Sequence, residues 1–329
     1  MGLRSELVKR ANTFNNFLDE FLKRDHPTNL YDAARHLPMA GGKRLRPVLA
    51  MLCCEAVSGS YVDVIPFAIG VELVHNFSLV HDDIMDKSTL RRNLPTVHLE
   101  YGEPTAIIAG DLLFAKAFES LDSYPSDMKE FRRLYNLLIR SVIEVCEGQQ
   151  LDMNFEILHL VSEKEYLEMI QMKTAALFRI SSEGGVLAGA ASDQVQNQFS
   201  MYGKSLGLAF QIQDDVLDMS STQETLGKDI GNDIRNGKKT LIAVHALTHA
   251  KGDYRKLLKD IFGKTTATDH EIQQVHEVFK DLGSIDYAKE KAVAYSKQAI
   301  KALDGVTDVE PFPASLLREL ASYAITREK

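Results

Sequence analysis

Two aspartate clusters carry the plainest chemistry in this chain. Asp82, Asp83 and Asp86 are spaced DDxxD, and Asp214, Asp215 and Asp218 repeat that spacing far downstream. Both follow apolar runs of helical character. On a helix, positions 82 and 86 lie one turn apart, with Cβ atoms about 6 Å from each other and Asp83 turned aside. Such carboxylates repel one another, and at a helix C-terminus they also oppose the helix dipole, so a cation or a proton must compensate. Carboxylate oxygens suit a hard divalent cation. Magnesium in particular takes one or two carboxylates and completes its shell with water and substrate phosphate, which implies a phosphate-bearing substrate. One cluster alone would be equally compatible with a solvated acidic helix end. A second copy in the same setting argues against that reading. Brought to one cavity, the two would hold several metal ions and clamp a diphosphate between them.

An anionic substrate needs cations as well, and basic residues accompany both clusters. Arg91 and Arg92 follow the first; Lys228, Lys238 and Lys239 follow the second. Gly41-Gly42-Lys43-Arg44-Leu45-Arg46-Pro47 forms a compact basic turn. Arginine forks match phosphate oxygens, whereas lysine acts as a point charge. Taken singly, each basic pair reads as ordinary wet surface. His75 precedes Asp82 by two helical turns and lies only about 20° off its face; that shared face turns an otherwise plain core histidine into a candidate diphosphate contact. Other motifs fail on inspection. Gly263-Lys264-Thr265 and Gly237-Lys238-Lys239-Thr240 lack the earlier glycine of a P-loop, and Ala246 between His245 and His249 excludes the zinc-protease motif.

The elements that must position these residues are helices. Apolar residues recur at three and four positions, as in Leu3, Leu7, Phe14, Phe17, Leu18, Phe21 and Leu22. Long helices are predicted near 64–86, 104–122, 130–157, 163–191 and 195–219, several apolar around most of their circumference, as in the centre of a bundle. Pro38 with Gly41-Gly42 ends one helix, Pro95 and Pro104 bracket a loop, and Gly283-Ser284 separates two late helices. Ser162 with Glu165 and Thr268 with Glu271 have capping-box spacing. About a dozen helices result, with no strand alternation between hairpin turns. The fold class is all-α. No Pro/Gly/Ser-rich linker interrupts the pattern, so residues 1–329 read as a single domain.

Bulk properties exclude several classes of function. A net charge of −8 and a pI near 5.7 argue against nucleic acid held by electrostatics. Three cysteines, two of them adjacent, form neither a disulfide framework nor a CxxC metal pattern and fit a reducing, cytoplasmic setting. The opening MGLRSELVKR lacks the apolar core of a signal peptide, and no stretch approaches the roughly 18 apolar residues of a membrane span.

Together the motifs resemble the trans-isoprenyl diphosphate synthases from about Gly41 through Thr240. GGKRLRP, His75, the first DDxxD, Arg91-Arg92 with Pro95-Thr96-Val97-His98, Lys173-Thr174, Gln211 with the second DDxxD, and Lys228 and Lys238 stand in the family's order and spacing. The run ELVHNFSLVHDDIMD looks most like archaeal-type short-chain members. The resemblance implies a large helical bundle around a central active-site cavity, a homodimer, and magnesium, with three ions per site. It further implies that Lys43, Arg46, His75 and Arg92 bind isopentenyl diphosphate, while Arg91, Lys173, Thr174, Gln211, Lys228 and Lys238 bind the allylic diphosphate. Asp82, Asp86 and Asp214 would be the main metal ligands, with Asp83, Asp215 and Asp218 supporting directly or through water. Asp82, Asp86, Asp214, Lys173 and Lys228 would carry catalysis: the allylic C–O bond ionises, the isopentenyl double bond attacks, and a proton leaves. Phe77 with the smaller Ser78 resembles the chain-length floor of members making the twenty-carbon geranylgeranyl product. In some members a basic C-terminus, here Arg327 and Lys329, closes over isopentenyl diphosphate. Asn93-Leu94 departs from the family's usual glycine with a basic residue, which bears on the flexibility of that loop. The rival readings are a farnesyl diphosphate synthase, a terpene cyclase, disfavoured because the second motif is all aspartate, and a non-catalytic helical partner subunit.

Overall fold

Apolar residues at helical spacing build helices throughout the computed structural model, which describes residues 2–23, 26–124, 128–220 and 231–327. They are α1 (Leu3–Phe21), α2 (Thr28–Met39), α3 (Leu45–Ser58), α4 (Ile65–Met85), α5 (Val97–Tyr101), α6 (Glu103–Glu119), α7 (Met128–Ile157), α8 (Glu163–Ile170), α9 (Ala176–Ala188) and α10 (Asp193–Ser220). After these come α11 (Asn232–Arg235), α12 (Leu241–His249), α13 (Gly252–Ile261), α14 (Asp269–Asp281), α15 (Ser284–Ala302) and α16 (Pro311–Thr326). The all-α class is met. Both capping boxes form, Ser162 and Thr268 each accepting from the N3 backbone while Glu165 and Glu271 reach back to the cap.

Three local features depart from the sequence reading. Between Pro95 and Pro104, where a loop is expected, Val97–Tyr101 winds into α5. The segment expected as one helix over 163–191 is broken by a π-helical turn, Gln171–Ala175, between α8 and α9. A two-residue antiparallel pair, β1 (Leu90–Arg91) with β2 (Leu94–Pro95), closes a small hairpin. Its two turn residues, Arg92 and Asn93, both have positive φ, at 54° and 63°. That is the left-handed backbone a two-residue hairpin demands, with Asn93 in the turn and Leu94 paired to Arg91.

The chain forms two compact units, each from three stretches. The first comprises Met1–Val142, Leu177–Gly203 and Gly305–Glu319. Here α4 is buried on nearly every side, with Phe67, Val71, Leu73 and Val74 all fully enclosed. The run Val62–Met85 is in fact long and apolar enough to cross a membrane by length and composition, but 67% of its window is buried inside the protein. It is a core helix. Each large apolar side chain removed from water there contributes about 1.5–3 kcal/mol, which fixes the height and rotation of the helix that carries the first aspartate cluster.

The second unit comprises Ile143–Ala176, Lys204–Asp304 and Leu320–Lys329. Its core joins Tyr166, Met169, Ile212, Val216, Ile242 and Phe279. The second aspartate cluster lies on the C-terminal part of α10, whose Ile212 and Val216 anchor it in that core.

Candidate active site

The end of α4 sets the first cluster. Asp86 is the C-cap and Lys87 adopts a left-handed conformation with φ 52°. The Lys87 N–H donates to the Ile84 carbonyl and the Ser88 N–H to that of Asp83, the paired bonds of a Schellman stop. Asp82 and Asp83 therefore occupy the last turn, about 100° apart around the axis. Asp83 points inward and is 1% exposed. Both its oxygens accept from Arg91 Nε at 2.8 Å, and Arg91 Nη2 lies 2.7 Å from Oδ1. Asp82 is half-buried and Asp86 exposed.

Beneath that turn, arginines gather round His75. Arg46 Nη1 donates to His75 Nε2 at 3.2 Å, so the imidazole accepts and is neutral. Burial, then the charges of Arg46, Arg92, Arg91 and Arg44, push its pKa well below the ordinary histidine value. Arg92 is likewise shifted down, by burial first, with Arg44 and Arg91 adding repulsion. The Arg92 guanidinium reaches back to the carbonyls of Leu37 and Gly41. Gly41 and Gly42, with φ of 90° and 129°, supply a backbone other residues rarely adopt, and a Cβ on Gly42 would sit 3.1 Å from the Arg92 guanidinium carbon. Arg44 is buried against Glu72 at 2.6 Å, leaving Lys43 exposed and Arg46 half-buried over the Phe178 ring. Like charges crowded this closely favour an anion among them.

In the second unit, a hydrogen-bonded chain runs through the predicted residues. Lys173 Nζ lies 2.5 Å from Asp152 Oδ2. Thr174 Oγ1 donates to Gln211 Oε1 at 2.8 Å, and Gln211 Nε2 donates to Asp215 Oδ1 at 2.9 Å. The Tyr166 hydroxyl donates to the other Asp215 oxygen at 2.7 Å. Burial pushes the Asp215 carboxyl up to about 7 against the opposing pull of Lys238 and its two donors. Burial lowers Lys238, but Asp233, Asp215, Asp152 and Asp218 outweigh it and hold the ammonium firmly charged. Asp214 faces outward with its side chain 47% exposed, and Arg327 Nη2 lies 2.9 Å from its Oδ1. The Arg327 guanidinium also stacks 3.7 Å from the Phe210 centroid. Arg327 thus engages Asp214, a proposed metal ligand; Lys228 and Lys329 lie outside the described residues.

The donors suit magnesium by type. Asp82, Asp86 and Asp214, the last beside its ion pair with Arg327, offer solvent-accessible hard oxygens, whereas Asp83 and Asp215 are buried with both oxygens engaged by protein donors. Among the described residues no three acidic, His or Cys side chains form a closed cage, and magnesium is commonly held by one or two carboxylates with substrate phosphate instead. A cleft of about 790 Å³ elsewhere on the second unit, between Glu163, Leu167, Lys204 and Tyr295, contains none of these residues.

The polyprenyl synthetase family model matches residues 27–279. This chain belongs to that family. The chain is 42% identical over 329 residues to the geranylgeranyl diphosphate synthase of Methanosarcina mazei, covering 100% of this chain and 99% of the relative. It is 46% identical over 274 residues, 83% of each chain, to the short chain isoprenyl diphosphate synthase of Methanocaldococcus jannaschii. The crystal structure of geranylgeranyl pyrophosphate synthetase from Pyrococcus horikoshii superposes with a TM-score of 0.93 at 39% identity, covering 99% of this chain and 98% of that one. The chain is a prenyltransferase with the all-α isoprenoid synthase fold.

Four residues of the chain escaped the sequence reading. Glu72 and Tyr166 carry no local signal, one being an acid on an apolar helix and the other an aromatic on a short, mostly charged one. Gly148 and Asp152 sit one turn apart in the run Gly148-Gln149-Gln150-Leu151-Asp152, where an acid beside a mid-helix glycine is the only hint.

Proposed function

We propose that this prenyltransferase condenses isopentenyl diphosphate with allylic diphosphates, releases pyrophosphate, and makes geranylgeranyl diphosphate. The observation that carries the reading is the neutral, half-buried His75 ringed by guanidiniums, a ready-made anion pocket two turns below a carboxylate cluster. Lys43, Arg46, His75 and Arg92 bind isopentenyl diphosphate there. Arg91, Lys173, Thr174, Gln211, Lys228 and Lys238 bind the allylic diphosphate. Asp82, Asp86 and Asp214 hold magnesium, three ions per site, with Asp218 adding support, Asp83 orienting Arg91, and Asp215 orienting Gln211. Bound magnesium supplies Lewis-acid stabilisation of the leaving diphosphate. The lysine and arginine side chains, pre-placed and already charged, stabilise the same developing charge without reorganising. His75 stays neutral and donates or accepts one hydrogen bond. Pyrophosphate can take the departing proton, so no protein base is required.

Product length rests on Phe77, whose ring meets His81 and Phe114 edge-on, with centroids 5.3 and 5.5 Å away. An aromatic wall therefore backs the proposed floor. The names of the relatives, geranylgeranyl and short-chain synthases, support a twenty-carbon product, with farnesyl diphosphate as the alternative. We further propose that residues 1–329 work as one domain, that the enzyme is cytoplasmic, and that it is a homodimer. Ile107, Ile108 and Phe114 on α6 and Tyr135 and Ile139 on α7 are large apolar side chains left exposed, as a second copy would require. Incubation with isopentenyl diphosphate and each allylic primer, followed by chromatography of the dephosphorylated products, tests the reading. A fifteen-carbon end product would favour the alternative, and absence of pyrophosphate release would refute both.

A further inference from the structure

The π-helical turn Gln171–Ala175 carries Lys173 and Thr174, and it lies against one position of α7 that has no side chain. A Cβ on Gly148 would fall 2.3 Å from the Lys173 backbone nitrogen, 2.8 Å from its Cα and 2.9 Å from the Met172 carbonyl carbon. All three are backbone atoms, which cannot swing aside as a flexible side chain would. One turn further along the same face, Asp152 accepts from the Lys173 ammonium at 2.5 Å. Each π turn inserts one residue into the α-helical register and swings the following side chains by about 100°. Such an insertion is unfavourable alone, and here α7 provides both the recess that admits its backbone and the carboxylate that takes its ammonium.

We propose that Gly148 and Asp152 are positioning residues: the recess at Gly148 holds the π turn against α7, and Asp152 aims Lys173, so that Lys173 and Thr174 meet the allylic diphosphate. The consequence extends along the hydrogen-bonded chain. Thr174 is bonded to Gln211 and Gln211 to Asp215, so a displaced π turn also misaligns these two groups. Neither Gly148 nor Asp152 touches the reacting carbon; each acts through Lys173.

This inference rests on the assignment of Lys173 to the allylic diphosphate, and the experiment separates the two. Wild type, Gly148→Ala, Asp152→Asn and Lys173→Ala are compared for KM with geranyl diphosphate, KM with isopentenyl diphosphate, kcat, and helical content by circular dichroism. A displacement of about 1 Å costs on the order of a hundredfold when a positioned group is involved. Gly148→Ala is expected to keep its helical spectrum and to raise the geranyl diphosphate KM at least about tenfold, while the isopentenyl diphosphate KM stays within about twofold. Asp152→Asn, nearly isosteric and free of any steric demand, is expected to shift the same constant in the same direction, and it decides the matter if Gly148→Ala does not fold. Unchanged constants in a folded Gly148→Ala or in Asp152→Asn, or a parallel rise in both KM values, would overturn the proposal provided Lys173→Ala raises the geranyl diphosphate KM. An unaffected geranyl diphosphate KM in Lys173→Ala would overturn the assignment of Lys173, and the positioning role with it.

Discussion

Replacing Glu72 by alanine tests how the basic turn is held. Arg44 occupies a left-handed position, φ 48°, at the N-cap of α3, and its side chain is 1% exposed. Its guanidinium is satisfied by Glu72 Oε1 at 2.6 Å, by Asn15 Oδ1 at 2.8 Å and by the Pro38 carbonyl. Glu72, whose side chain is 3% exposed, also accepts from Asn76 Nδ2 at 3.1 Å. Glu72→Ala would strand a buried guanidinium and one amide donor at once. Removing one partner of a buried pair costs about 3–5 kcal/mol, because desolvation of the remaining charge is no longer offset. Set against a total of about 5–15 kcal/mol for a folded domain, that is a large fraction. Chemical denaturation should show a loss of this size, and the isopentenyl diphosphate KM should rise, since Lys43 and Arg46 flank Arg44. The double variant Arg44→Leu/Glu72→Leu removes both charges and should recover much of the stability without restoring the KM. A loss below about 1 kcal/mol in Glu72→Ala would mean that water or another group takes over the guanidinium, and the argument for an anchored turn would fail.

Asp82→Ala or Asp214→Ala should lower kcat by about a hundredfold or more, and Asp214→Ala should also lower the melting temperature, because the buried Arg327 guanidinium loses its carboxylate partner; near-normal turnover in magnesium would refute the ligand assignment. Phe77→Ala should lengthen the products and Ser78→Phe should shorten them toward fifteen carbons, as read by chromatography; a fixed product distribution would place the floor elsewhere. His75 resists protonation in the folded state and not in the unfolded one, so its contribution to stability is present above the ordinary value of about 6.5 and is lost as pH falls below it. Thermal melts between about pH 7.5 and 5 should therefore fall less steeply in His75→Gln than in wild type.

The helices were legible because burial imposes a period of 3.6, and α4, α7 and α10 fall within a residue or two of where periodicity puts them. Their stops were legible where a side chain makes them, as at Ser162 and Thr268. What escaped was backbone geometry decided by distant packing. The π turn at Gln171–Ala175 depends on an absent side chain on another helix, Gly148, which no local window contains. Similarly, the hairpin at Leu90–Pro95 puts Arg92 and Asn93 at positive φ, and propensity would not choose arginine there; the Leu37 and Gly41 carbonyls that hold its guanidinium come from α2 and the turn after it. For the site, residue types announced the metal and phosphate chemistry. The partners that orient those residues, Glu72, Asp152 and Tyr166, are single acids or aromatics within helices and look like any other.

The repeated DDxxD is also a repeat of roles within each cluster. In both, the second aspartate is buried, Asp83 at 1% and Asp215 at 4% exposure, and both its oxygens are taken by protein donors. The first aspartate, Asp82 or Asp214, is turned about 100° away and remains accessible. Adjacent positions on a helix cannot share a face, so one of the two must look inward, and an inward carboxylate is tolerable only if its hydrogen bonds are met. Arg91 does this for Asp83, and Tyr166 with Gln211 for Asp215. The buried member thereby orients a neighbouring polar group, Arg91 for Asp83 and Gln211 for Asp215, while the outward member carries the charge proposed to hold magnesium. On this reading, Asp83→Asn and Asp215→Asn would act first on substrate affinity, and Asp82 and Asp214 substitutions on the metal requirement, although the residues are neighbours in sequence.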